Sequence, residues 1–153
     1  MRPERLSAAA LAIALAAVGG AAHATPFAIR TAGADTAIAI DLGSITRFRS
    51  YRIAWTYEFF RSGAGLMSKR MQIMATREMV DCRTRQNIDL QTVRYMADGA
   101  ELSRIGREAH WKISLRGSNS DYLVGVICDG VDPAWKASRV PTVFDLYRAT
   151  WRR

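Results

Sequence analysis

Histidine is nearly missing from this 153-residue sequence: His23 and His110 are the only two. His23 falls in an N-terminal segment expected to be removed, so His110 stands alone and a metal centre built on two or more histidines is excluded. Cysteine is as scarce. Cys82 and Cys128 are the only pair, and they lie too far apart for the C-x-x-C spacing of a redox motif. There is no G-x-S-x-G nucleophile setting. Gly63-Ala64-Gly65 lacks the following glycine, lysine and helix pattern of a phosphate loop. No internal repeat or low-complexity tract occurs, and no apolar run reaches the ~20 residues that span a bilayer. Lysine is also rare, with only Lys69, Lys112 and Lys136.

The chain opens with charged Met1-Arg2-Pro3-Glu4-Arg5, followed by an apolar run from Leu6 to Val18 and the small-residue stretch that ends Ala22-His23-Ala24. This order reads as a secretory signal peptide over residues 1–24, with A-x-A cleavage and a mature chain that starts at Thr25. A retained anchor would need a longer apolar run. No cysteine follows the cut to carry a lipid. The expected location is therefore periplasmic or secreted. In an exported chain, an even pair of cysteines reads as one disulfide, Cys82–Cys128.

Removal of residues 1–24 takes away two arginines and one glutamate, leaving 20 basic against 13 acidic residues and a net charge of +7. Seventeen of the 20 are arginines, whose planar forks match phosphate, sulfate and carboxylate groups. For an exported protein such partners are anionic lipids or glycans rather than nucleic acid. The plainer reading is a solvated basic surface.

Residues 25–35 are small and mixed, and read as a flexible lead-in. Residues 36–42 alternate into a first strand that Gly43-Ser44 breaks. The clearest periodicity places Tyr51, Ile53, Trp55, Tyr57 and Phe59 on one strand face, against Arg52, Ala54, Thr56 and Glu58 on the other. Further strands are expected over residues 71–83, 87–96, 101–105 and 111–115, with Asp98-Gly99 marking a hairpin. Residues 116–120 then form a turn into a helix carrying Leu123, Val124, Ile127 and Cys128 on one face, which Asp129-Gly130 ends. Residues 131–153 form a C-terminal extension with a short helix near Phe144, Leu146, Tyr147 and Trp151. The expected class is α+β: an antiparallel sheet of about five or six strands with a C-terminal helix tied to it by the disulfide.

The order Gly43-Ser44-Ile45, Trp55, Lys69, Cys82, Tyr95-Met96-Ala97-Asp98-Gly99, Ile113, Gly117-Ser118 and Cys128 resembles the surface-adhesin protein E-like family of Gram-negative envelope proteins. The resemblance covers residues 36–130. It implies an antiparallel sheet with a helix held against it by Cys82–Cys128, and an envelope or binding role. The chain departs from the family in lacking a lipid-attachment cysteine and in having Arg116 where a proline is expected. Fold likeness alone does not carry host adhesion across.

Arg47, Arg49, Arg52 and Arg61 are the candidate anion- or partner-binding residues, with Arg47 and Arg49 expected on one strand face. Arg83, Arg85 and Arg94 form a second set. Both sets are also what a charged strand edge needs to resist aggregation. The stripe Tyr51, Trp55, Tyr57, Phe59 could cradle a flat ligand such as haem, but its spacing reads more simply as core. No cofactor or catalytic residue is expected. His110 beside Trp111 reads as a surface histidine, and Asp121 and Asp129 as helix cap and stop. The expected function is a non-catalytic exported binding module whose partners are envelope or extracellular proteins or anionic glycans or lipids. Exposed sheet edges would allow a homodimer. The alternative is a small periplasmic enzyme or an enzyme accessory or inhibitor, although positive charge disfavours inhibition of basic lysozymes.

Overall fold

Period-two patterning dominates this chain. In the computed structural model, which describes residues 24–61, 71–108 and 110–151, it becomes a single antiparallel sheet. Residues 1–23 of the expected signal segment, Gly63, Gly65, Lys69, Arg152 and Arg153 lie outside the described residues. The strands are β1 (Thr25–Thr31), β2 (Thr36–Asp41), β3 (Thr46–Phe48), β4 (Tyr51–Phe60), β5 (Ile73–Asp81), β6 (Gln86–Tyr95), β7 (Glu101–Ile105), β8 (Lys112–Ile113) and β9 (Lys136–Val140). Helix α1 spans Asn119–Asp129 and α2 spans Val143–Trp151. In space the order is β7-β6-β5-β4-β2-β1-β9, with β3 beside β4 and β8 beside β6.

The antiparallel sheet, the helix and the disulfide match expectation, but nine strands exceed the five or six expected. Most of the excess comes from the chain ends. Thr25–Thr31 is not a flexible lead-in: it pairs with β2 on one side and β9 on the other. Its partner β9 lies more than a hundred residues away, so no local pattern announces the strand. Pro26, which has no N–H, sits near the start of β1, where a missing ladder donor disturbs least. Cys82, expected inside the strand over residues 71–83, instead lies just past the end of β5, in the turn after Asp81.

Both faces of the sheet are covered, and β2 shows how. Ile38 and Ile40 join the α1-side core with Ala28, Ala54, Val80, Leu123, Val124, Ile127 and Trp135. Ala37 and Ala39 join the α2-side core with Phe27, Phe59, Ile73, Leu146 and Tyr147. Small alanines on the second face leave room for the large aromatic rings packed over them. Phe59 meets Tyr147 edge-on at 5.8 Å, and Phe27 meets Tyr57 edge-on at 6.0 Å.

Helix α1 begins where Ser118 Oγ accepts from the Asp121 N–H (3.2 Å) and Asp121 Oδ2 accepts from the Gly117 N–H (2.9 Å). It ends at Gly130, whose φ of 97° favours a residue without Cβ. That end is fastened three ways. Cys128 is bonded to Cys82, Arg52 Nη1 donates to the Ile127 carbonyl at 2.8 Å, and Arg85 Nη1 bonds Asp129 Oδ2 at 2.8 Å. Arg52 thereby satisfies a carbonyl that the helix itself leaves open.

Breaking the clasp should be costly. The bond joins residues 46 apart, a loop whose closure stabilises by about 4 kcal/mol in the chain-entropy view. Cys82→Ser with Cys128→Ser should therefore lower Tm by more than about 10 °C in a thermal melt. Phe27, 2 % exposed, tests β1: Phe27→Ala should cost about 3–5 kcal/mol in urea unfolding, whereas a flexible lead-in would show no loss.

Candidate functional site

The four arginines singled out from sequence do not form one patch. Arg47 is exposed on β3, while Arg49 occupies the β3–β4 turn with φ 57°, so the two do not share a strand face. Arg49 instead lies over the exposed Phe48 ring at 5.7 Å. Arg52 is committed to the carboxyl end of α1. Arg61 follows the far end of β4, about 30 Å from Arg52 at the usual strand rise. In the second set, Arg85 holds Asp129 and lies 3.8 Å from Asp121. Arg83 is a largely exposed neighbour of Asp81.

The aromatic stripe is divided among protein partners. Tyr51 stacks on Trp111 at 5.5 Å, Tyr57 and Phe59 fill the α2-side core, and Trp55 is half-buried. His110 is exposed.

Two other arrangements emerge from the fold. The first is a polar network on the α1 face of the sheet. Glu78, 5 % exposed on β5, places Oε1 2.6 Å from Thr56 Oγ1 and receives Asn87 Nδ2 on Oε2 at 3.2 Å. Asn87 Oδ1 accepts from Ser114 Oγ, which lies 2.8 Å from Ser120 Oγ in the first turn of α1. Lys112 bridges Asp89 and Glu108, each at 3.0 Å. Burial is the main force on Glu78, raising it from 4.5 to about 7; the Asp89 charge adds to the rise, while the Thr56 and Asn87 bonds and Lys112 oppose it. Burial also pushes Glu58 up on the same face, against a hydrogen bond from Asn119. The geometry favours a neutral Glu78 independently. Thr56 has one hydroxyl proton and two acceptors in reach, Glu78 Oε1 and the Thr76 carbonyl at 3.3 Å. A protonated Glu78 can donate to Thr56 Oγ1 and free that hydroxyl for Thr76, so every group is satisfied.

The second arrangement is an open cleft of about 760 Å³ where α2 meets β1 and β9. Ile29, Arg61, Lys136, Thr150 and Trp151 are among its walls. Antiparallel pairing sets Ile29 opposite Lys136 on the sheet face that α2 covers. The Tyr147 hydroxyl donates to the Phe60 carbonyl at 3.3 Å, which seats α2 beside the end of β4 and hence beside Arg61.

Arg61 alone of these cleft residues was a sequence candidate. Lys136 and Ile29 lay in segments without a legible strand, and Trp151 was legible only as part of the expected C-terminal helix. Glu78 and Thr56 were hidden because both sit on strands where a polar residue is expected to face water.

The buried carboxyl makes stability pH-dependent. The unfolded chain ionises Glu78 near 4.5 and the folded protein near 7, so the folded state binds more protons between these values. Stability at this site is full below 4.5, falls by about 3 kcal/mol as pH rises towards 7, and levels off above it. Glu78→Gln should flatten that portion of a Tm-against-pH curve; an unchanged slope would place the titration elsewhere. No protein-family model, curated protein or solved structure matches the chain, which leaves the clasp, the buried acid and the cleft to carry the functional reading.

Proposed function

We propose that this chain is an exported, non-catalytic binding module of surface-adhesin protein E type, which engages envelope or extracellular proteins or anionic glycans or lipids. The observation that carries this reading is the Cys82–Cys128 bond between the end of α1 and the β5–β6 turn, because such a clasp persists in oxidising compartments. The antiparallel sheet with α1 held against it is also the architecture that the family resemblance implies. The net charge of +7 on the expected mature chain favours anionic partners. Against an enzymatic role, the described titratable group pushed closest to neutrality, Glu78, is sealed in the α1-side network, away from the cleft.

Cell fractionation with thiol trapping tests export. The expected result is a chain beginning at Thr25 in periplasm or medium with no free thiol; a cytosolic protein with two free thiols would sink the reading. The oxidised protein should then bind acidic polymers in a salt-sensitive manner and show no turnover of esters, peptides or glycans. Turnover abolished by His110→Ala would favour the enzyme instead.

A further inference from the structure

The cleft beside α2 combines three features. The first is cationic charge at its mouth. Arg61 and Lys136 line it, both are exposed, and neither takes part in the ion pairs found among the described residues. Residues 62–70, which follow Arg61 in sequence, contain no aspartate or glutamate. Arg30 also lines the cleft, but its guanidinium is engaged 3.7 Å above the Tyr122 ring, and Arg148 on α2 is spent on Asp145 at 2.6 Å. The second is an aromatic wall: Trp151 packs against the α2-side core and lines the cleft. The third is size: about 760 Å³ falls within the range of small-ligand clefts, about 300–1,000 Å³, and is far from a protein-sized interface.

These features select a ligand. Arg61 offers a planar fork and Lys136 a point charge, a combination suited to carboxylate or sulfate oxygens. Thr31, Ser138 and Thr150 line the cleft with hydroxyls that bond neutral polar groups, Thr150 as an acceptor because its own proton goes to the Leu146 carbonyl at 2.8 Å. A flat-sided, hydroxyl-rich ring bearing an anionic substituent meets all of these at once, with its C–H face against the indole. We propose that this cleft is a binding site for an acidic saccharide, and that Arg61, Lys136 and Trp151 recognise it. The inference rests on the binding-module reading above and names its site and ligand class. It also separates Arg61 from the β3–β4 arginines, which lie at the opposite end of β4.

Calorimetric titration of the oxidised mature protein tests the site with three probes: a sulfated uronic acid disaccharide of heparin type, the same disaccharide desulfated and methyl-esterified, and inorganic phosphate. The acidic disaccharide should bind at least about tenfold more tightly than either other probe. Arg61→Ala and Lys136→Ala should each weaken it about tenfold, while Arg47→Ala with Arg49→Ala leaves it unchanged. Both cleft cations are exposed, so their variants should keep the wild-type Tm. Trp151→Phe should remove the change in tryptophan fluorescence on binding. Equal binding of the esterified disaccharide or of phosphate would overturn the acidic-saccharide assignment. Binding lost in the Arg47/Arg49 variant but kept in the cleft variants would overturn the site and leave the binding-module reading standing. No binding of any probe by a protein that still associates with envelope extract would likewise overturn the cleft alone. Loss of both would overturn the two readings together.

Discussion

The bond between Cys82 and Cys128 is the constraint on which the α1 side of this protein depends. It fixes one end of an eleven-residue helix to a four-residue turn, and the same region adds Arg85–Asp129 and the Arg52 bond to the Ile127 carbonyl. A helix this short is marginal by itself. Held at its carboxyl end and capped by Ser118, it lays Leu123, Val124, Val126 and Ile127 over the sheet. The buried Glu78 network then runs, through Asn87 and Ser114, up to its first turn. A disulfide at one end and a polar network at the other give α1 a single seat.

The opposite face is built without a covalent tie. There β1 and β9, from the two ends of the described chain, extend the sheet, and α2 covers it with Leu146 and Tyr147 over Phe27 and Phe59. Thr142 caps α2 by accepting from the Asp145 N–H and donating to the Asp145 carboxylate. The Tyr147–Phe60 bond ties the helix to the end of β4. The cleft is a consequence of that placement. A helix crossing the corner of a twisted sheet leaves space beside the last strand, and the residues around it decide its chemistry.

Legibility followed the range of the interactions. The β4 strand could be read to the residue because five large side chains recur at every second position from Tyr51 to Phe59. The α1 cap could be read because Ser118 and Asp121 act on their own neighbours. The β1 strand was illegible: Phe27 and Ile29 make a weak alternation, and the partner that stabilises them begins at Lys136. The arginines show the same limit. Sequence placed Arg47, Arg49, Arg52 and Arg61 close together, yet eight extended strand residues, Ile53 to Phe60, separate Arg52 from Arg61. Arg52 turned out to serve a helix carbonyl 75 positions away.

The sequence by itself determined the composition-level facts: a single cysteine pair, an arginine-rich charge and the alternating pattern that makes a sheet. These depend on residue type and local spacing, which need no knowledge of the fold. Only the tertiary structure decided which face each helix covers, which arginines are occupied, that Glu78 is buried, and that Arg61, Lys136 and Trp151 line one cleft. Each of these depends on the packing of residues distant in the chain, and the pairing of β1 with β9 beside the cleft is written in no local segment.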